Sequence, residues 1–194
     1  MDAMEFFRRS AGRWQSQRTT HHLAFRRSEA GESEIAVDTL RADAPQVVEL
    51  CKLHGIDPAG AAGATLVSWQ GRMGWDREEE NHSGATVMVL VPDDAGGRTG
   101  QLLRERGYAE VAPVVGRYFM DDEDGLNLIT EYETMSVVER FWFITPDLRL
   151  RASTLKRFGG FSTATYCTET RLTDEAEQAA DASPIRQPVS LWSW

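Results

Sequence analysis

Five short runs of alternating polarity, each followed by a turn signal or a chain break, occupy the second half of the chain and constrain its fold most tightly. The runs are 114–120, 126–132, 136–144, 148–156 and 162–172. Between them stand Asp121-Asp122-Glu123-Asp124-Gly125, Glu133-Thr134-Met135, Thr145-Pro146-Asp147 and Gly159-Gly160. Alternation with period two places successive side chains on opposite faces, and connections this short join antiparallel neighbours. Strands at such even spacing indicate an antiparallel meander that closes into a barrel. No strand–helix–strand alternation is present, so a doubly wound sheet is not expected.

The first half adds two helices and further strands. Asp2-Ala3-Met4-Glu5 has the acidic cap and later glutamate of a capping box, and Gly12 offers a stop, which predicts a short N-terminal helix. From Arg13 to about Arg27 the threonines and aromatics favour a strand, broken at Gly31. Asp43-Ala44-Pro45 opens a second helix near residues 44–54, whose Val47, Leu50, Cys51 and His54 share one face and which Gly55 ends. Strands are expected near 64–72 and 84–92, with the charged span 76–80 between them. Residues 93–107 carry no pattern that assigns them. The expected organisation is a barrel domain over 1–172 and an acidic, mobile tail over 173–194, ending in Leu191-Trp192-Ser193-Trp194.

Charge narrows the function classes. Among 194 residues the net charge is −9, which disfavours a general binder of nucleic acid or anionic membrane. The longest aliphatic run, Val87–Val91, is too short to cross a bilayer, and the start lacks a secretory pattern. With only Cys51 and Cys167, neither a disulfide framework nor a zinc site is expected, and the setting reads as cytosolic. The 21 basic residues comprise 19 arginines and two lysines. A genome rich in G and C produces that bias without functional cause. Alternatively, some arginines serve as bidentate anion clamps, a task lysine cannot take over.

Splitting each strand into its two faces sharpens the choice. Arg149, Arg151, Ser153 and Leu155 share a face. Val137, Glu139, Phe141 and Phe143 share another, opposite Val138, Arg140, Trp142 and Ile144. Thr163, Thr165, Cys167, Glu169 and Arg171 form a third. Arg149 and Arg151 suit a solvated exterior, since exposed faces of antiparallel sheets are normally charged. They also suit a barrel interior, where the company of Glu139 with Phe141 and Phe143 points to a pocket for an amphipathic anion. Other motifs fall away. His21 and His22 face opposite ways and cannot share a metal, and no metal site is expected. Gly96–Gly100 has neither the spacing nor the lysine of a phosphate loop. No serine sits in a nucleophile elbow.

Gly12-x-Trp14 resembles the lipocalin entry motif, in which an arginine of the last strand covers the tryptophan; Arg171 is the candidate. A longer match runs from about Phe6 to Leu172. Trp14-Gln15-Ser16-Gln17-Arg18-Thr19-Thr20-His21-His22, Ser68-Trp69, Glu139-Arg140-Phe141-Trp142-Phe143 and Pro146-Asp147-Leu148-Arg149-Leu150-Arg151-x-Ser153 resemble the S-type (CpcS/CpeS) phycobiliprotein lyases. The resemblance implies a mainly all-β, up-and-down lipocalin-like barrel from a phycobilisome-bearing organism. It further implies a chromophore lyase that attaches a linear tetrapyrrole (bilin) to a cysteine thiol of a phycobiliprotein as a thioether.

On that resemblance the bilin is a transferred ligand, phycocyanobilin or phycoerythrobilin, and no prosthetic group is implied. Arg149 and Arg151 match its propionates, with Arg18 a third basic candidate and Ser153 a further hydrogen-bonding one. Glu139 and Glu169 become the candidates for proton transfer or pyrrole recognition. Trp69 and Trp142 become candidates for ring stacking, although alternation sets Trp142 opposite Glu139. Replacing Arg149 or Arg151 by alanine is then expected to weaken bilin retention at little cost in stability. The implied partner is an apo-phycobiliprotein subunit, with a second copy or a paralogous lyase subunit as a further one. The competing reading is a non-catalytic, lipocalin-like carrier or chaperone of a bilin or other amphipathic ligand.

Overall fold

The computed structural model describes residues 1–73, 82–105, 114–157, 159–160 and 162–173. Its elements are α1 (Ala3–Ser10), β1 (Gly12–His22), β2 (Arg27–Leu40), α2 (Pro45–Leu53), β3 (Gly63–Met73), β4 (His82–Pro92), β5 (Thr99–Arg104), β6 (Val114–Met120), β7 (Leu126–Glu131), β8 (Met135–Thr145), β9 (Leu148–Arg157) and β10 (Ser162–Arg171). Each strand pairs antiparallel with its neighbours in sequence. β10 returns to β1 in a register running from Trp14↔Arg171 to His22↔Thr163. The ten strands therefore form the closed up-and-down, lipocalin-like barrel expected, and closure leaves no unpaired sheet edge.

Two stretches differ from the expectation. The chain turns at Leu23–Phe25, with Arg26 in the left-handed region at φ 51°, and β2 then runs through Gly31 without a break. Gly31 pairs with both Arg18 and Met73. The strand is hard to read because its apolar positions, Ile35 and Val37, lie only in its second half. Residues 99–104 form β5, whose inward Leu102 is fully buried. The charged span 76–80, and all of the proposed tail after Thr173, lie outside the described residues.

α1 plugs one end of the barrel. Asp2 caps it by accepting from the Glu5 amide at 2.7 Å. Phe6 and Phe7 then pack among Leu90, Leu102, Tyr118, Met120, Leu126 and Leu128. Burial of each phenylalanine contributes about 1.5–3 kcal/mol. The Met1 ammonium on Asp124 (2.9 Å) and the Ala3 amide on the Gly97 carbonyl (3.1 Å) tie the helix to the loops at that end.

The entry motif completes the closure. Trp14 is fully buried and donates from Nε1 to the Ser10 carbonyl at 2.8 Å. The Arg171 guanidinium lies 4.3 Å above its ring and donates to the Ala11 and Arg9 carbonyls at 2.6 and 2.7 Å. Gly12 sits at φ 118°, where a Cβ would come within 2.8 Å of Arg171 Nη1, so the turn requires glycine. α2 packs on the outside of the barrel, placing Val47, Leu50 and Cys51 against Ala64, Val89 and Leu103.

Candidate functional site

Strand register assembles the interior residues in layers. In the deepest polar layer, Ser16, Glu169, Arg149 and Phe143 are successive cross-strand partners. The next layer towards the end opposite α1 runs Arg18, Cys167, Arg151 and Phe141. Above it lie Thr20, Thr165, Ser153 and Glu139, and the two threonine hydroxyls sit 3.1 Å apart. Direct partners share a face. The alternation that left Arg149 and Arg151 open between exterior and interior is thus resolved in favour of the interior.

The deepest layer holds a closed ion pair. Arg149 donates from Nε and Nη2 to Glu169 Oε2 at 2.7 and 2.6 Å, and its guanidinium stacks 4.7 Å from the Trp14 ring. Both side chains are buried, Glu169 completely. Burial pulls the Arg149 guanidinium down from its ordinary value, and the Glu169 carboxylate opposes that pull. Arginine stays protonated in proteins, so a full cation is buried here against Glu169. Two oxygens here, Ser16 Oγ and Glu169 Oε1, are buried without a hydrogen-bond partner among the described residues.

The upper layers hold a looser set. Arg151 Nη1 is 3.9 Å from Glu139 Oε1, Arg151 Nε is 3.5 Å from Glu169 Oε1, and Nη2 donates to Cys167 Sγ at 3.2 Å. The Arg151 side chain retains 22% exposure, against 6% for Arg149. From β5, with β6 and β7 between, Arg104 brings Nη2 to 3.8 Å from Glu139 Oε2. Sequence reading missed Arg104. It lies in the stretch without assignable pattern, and its one legible signal was two-residue spacing from Leu102. Among the described residues, Arg18, Arg104, Arg149 and Arg151 stand in the interior with Glu139 and Glu169, and Glu29, the β2 partner of Thr20, adds a carboxylate nearer the rim.

The remaining predicted residues divide. Trp69 pairs with Ile35 and Gly84 on the inward face of β3 and is 39% exposed; a Cβ on residue 84 would lie 2.5 Å from its ring. By register it follows Trp14 and Ile35 around the inner wall. Ser153 faces the interior beside Glu139. Trp142 lies on the barrel's outer face with Tyr166 (ring centroids 6.3 Å apart), under the Arg140 guanidinium at 4.9 Å. Strand alternation carries it away from the interior set. His22 reaches Glu29 at 3.0 Å on the rim opposite α1. No helix among the described residues is long and apolar enough to cross a membrane.

A closed up-and-down barrel, plugged at one end by a helix and a tryptophan–arginine pair and lined with arginines and aromatics, belongs to the lipocalin-like class of ligand-binding barrels. Comparison with known proteins identifies the branch. Residues 2–172 match the family model of the CpeS-like proteins. The chain is 60% identical over 184 residues to chromophore lyase CpcS/CpeS 2 of Trichodesmium erythraeum, covering 95% of this chain and 94% of that one. It is 55% identical over 194 residues to the phycocyanobilin lyase subunit CpcS of Picosynechococcus, covering 98% of each. The S-type phycobiliprotein lyase CPES of Guillardia theta superposes with TM-score 0.79 at 37% identity, over 90% of this chain and 94% of that one. The chain belongs to the CpcS/CpeS family of chromophore lyases.

Proposed function

We propose that this protein binds a bilin in its barrel and transfers it to a cysteine thiol of an apo-phycobiliprotein. The supporting observation is the group of interior arginines, Arg18, Arg104, Arg149 and Arg151, inside a barrel that α1 plugs at one end. A bilin offers the complement: an apolar conjugated body, two propionates and pyrrole N–H groups. Arg151 is the anchor for a propionate, being the more open of the two β9 arginines, with Arg18 in the same layer beyond Cys167. Glu139 and Glu169 stand on the same inner face, in the layers on either side of Arg151, and are the candidates for pyrrole N–H groups. The closed Arg149–Glu169 pair supports this layer from below. Trp69 stacks on the chromophore edge.

In the transfer, the acceptor thiol adds across the ring-A ethylidene. A carbon–sulfur bond forms, the thiol hydrogen ends on the ring carbon, and nothing is released. The protein's contribution is orientation: one bilin conformation, offered from the end of the barrel that α1 does not plug. Phycocyanobilin is the first chromophore to test, given the name of the Picosynechococcus relative, whose description as a subunit also recommends testing with a paralogous partner. The experiment mixes protein, phycocyanobilin and an apo-phycobiliprotein and reads bilin fluorescence after denaturing electrophoresis. A fluorescent acceptor band above the protein-free control is expected. A coloured, non-covalent complex that yields no adduct on any acceptor refutes transfer and leaves a carrier.

A further inference from the structure

The surface cations of this chain are treated differently at the two ends of the barrel. At the end that α1 plugs, Arg98, Arg140 and Arg171 each close on an aspartate, at 3.2, 2.7 and 3.1 Å. At the open end Arg26, Arg27, Lys156 and Arg157 are all exposed, and none makes an ion pair among the described residues. They form one arc of the rim. Arg27 opens β2 opposite His22, His22 pairs with Thr163 of β10, and Ser162 of β10 pairs with Lys156 of β9. The same arc carries Leu23 and Phe25, 57% and 63% exposed, more than any other large apolar side chain described. The acidic residues near the arc are Glu29, which meets His22 at 3.0 Å, and Glu131 and Glu133, which share a groove with Lys156 and Arg157. Positive character is therefore strongest at Arg26 and Arg27. Arg26 stands at φ 51°, a left-handed conformation that strains an arginine and not a glycine, so the turn keeps a charged side chain where glycine would fit more easily.

We propose that this arc, Leu23–Arg27 with Lys156 and Arg157, docks the acceptor protein and fits an acidic surface flanking the acceptor cysteine. The inference rests on the transfer reading and names the surface through which that transfer is made. Two features select the acceptor as the occupant. Its thiol must reach ring A through the open end, because α1 closes the other, so the acceptor sits on this rim. The arc is also opposite in sign to the chain as a whole, which carries −9; it attracts an acidic protein and repels the same arc of a second copy. Leu23 and Phe25 supply the apolar contact, and the cations around them steer and orient the partner.

The test measures the rate of transfer against the concentration of apo-phycobiliprotein, using the full chain loaded with phycocyanobilin, and measures phycocyanobilin affinity separately by absorbance titration. The variants are Arg26→Glu with Arg27→Glu, Leu23→Ser with Phe25→Ser, Arg26→Gly, and Lys52→Glu, which reverses an exposed cation on α2. Reversal at 26 and 27 should raise KM for the acceptor about tenfold, with kcat and bilin affinity near parental, and should remove most of the rise in KM that added salt causes in the parent. Replacing the apolar pair should raise KM and preserve the salt dependence. Arg26→Gly should raise KM while its thermal midpoint stays at or above that of the parent, a combination that a purely structural role does not produce. Lys52→Glu should keep the parental KM. The inference is overturned, with the transfer reading intact, if either double variant keeps the parental KM. It is equally overturned if reversal at 26 and 27 lowers bilin affinity in step with transfer, or if Lys52→Glu raises KM as much. A parent protein that forms no adduct on any acceptor refutes the transfer reading and the inference together.

Discussion

Arg149→Ala should unfold this barrel more readily, an outcome opposite to the one that sequence reading expects. The geometry sets the size. Arg149 makes two charge-assisted hydrogen bonds to one oxygen of Glu169, at 2.6 and 2.7 Å, and Glu169 has no exposed surface. Deleting the guanidinium leaves that carboxylate buried, with Arg151 Nε at 3.5 Å as its nearest remaining cation. Removing one partner of a buried ion pair costs about 3–5 kcal/mol, mostly from the charge left behind. Loss of the stacking on Trp14 adds about 0.5–2 kcal/mol. Against a total stability of roughly 5–15 kcal/mol, this is a large fraction.

Urea denaturation followed by tryptophan fluorescence measures the loss as a fall in midpoint at constant slope. The charge argument makes a second, sharper demand. Arg149→Met combined with Glu169→Leu removes both charges and retains much of the volume, so it should be more stable than Arg149→Ala and lie within about 1–4 kcal/mol of the parent. A loss below about 1 kcal/mol for Arg149→Ala would refute the reasoning. So would a double variant less stable than both single variants.

Three further outcomes follow from the same structure. Arg151→Ala should lower bilin affinity about tenfold or more in absorbance titrations, with a thermal midpoint close to that of the parent, because its side chain is partly exposed and its contacts are longer. Gly12→Ala should cost about 1–3 kcal/mol by urea denaturation, since alanine at φ 118° is strained and its Cβ meets Arg171 Nη1. The Arg140 guanidinium at 2.7 Å, with backbone amides of Glu123 and Gly125, holds the Asp121 carboxyl well below its ordinary value. A depressed folded-state value makes this contribution full above the unfolded carboxylate range, near pH 4, and lost as pH falls through the folded value. Asp121→Asn should therefore flatten the acid side of a stability–pH profile; an unchanged acid limb would refute the assignment.

The parts of this structure legible from sequence share one property: their signal lies within a single element. Asp2 and Gly12 bound α1, Val47, Leu50 and Cys51 mark the buried face of α2, and tight turns bound the last five strands. Period-two alternation grouped Glu139 with Phe141 and Phe143 and set Trp142 opposite, as the barrel does. Alternation alone could not say which face of β9 is interior, because a charged interior and a charged exterior leave the same trace on a single strand. That information resides in pairing. Arg149 faces inward because Glu169 and Ser16 stand in register with it across two ladders, and all three lie deep in the closed end of the barrel. Pairing also separates the two β9 arginines, which sequence spacing presents as equivalents. Two residues along a strand is one layer of the barrel, and one layer separates a closed, buried Arg149 from a more open Arg151. Arg104 is the extreme case: it meets Glu139 only because the curved wall brings β5 and β8, with β6 and β7 between them, within reach of one another through the interior, a relation that leaves no pattern along the chain.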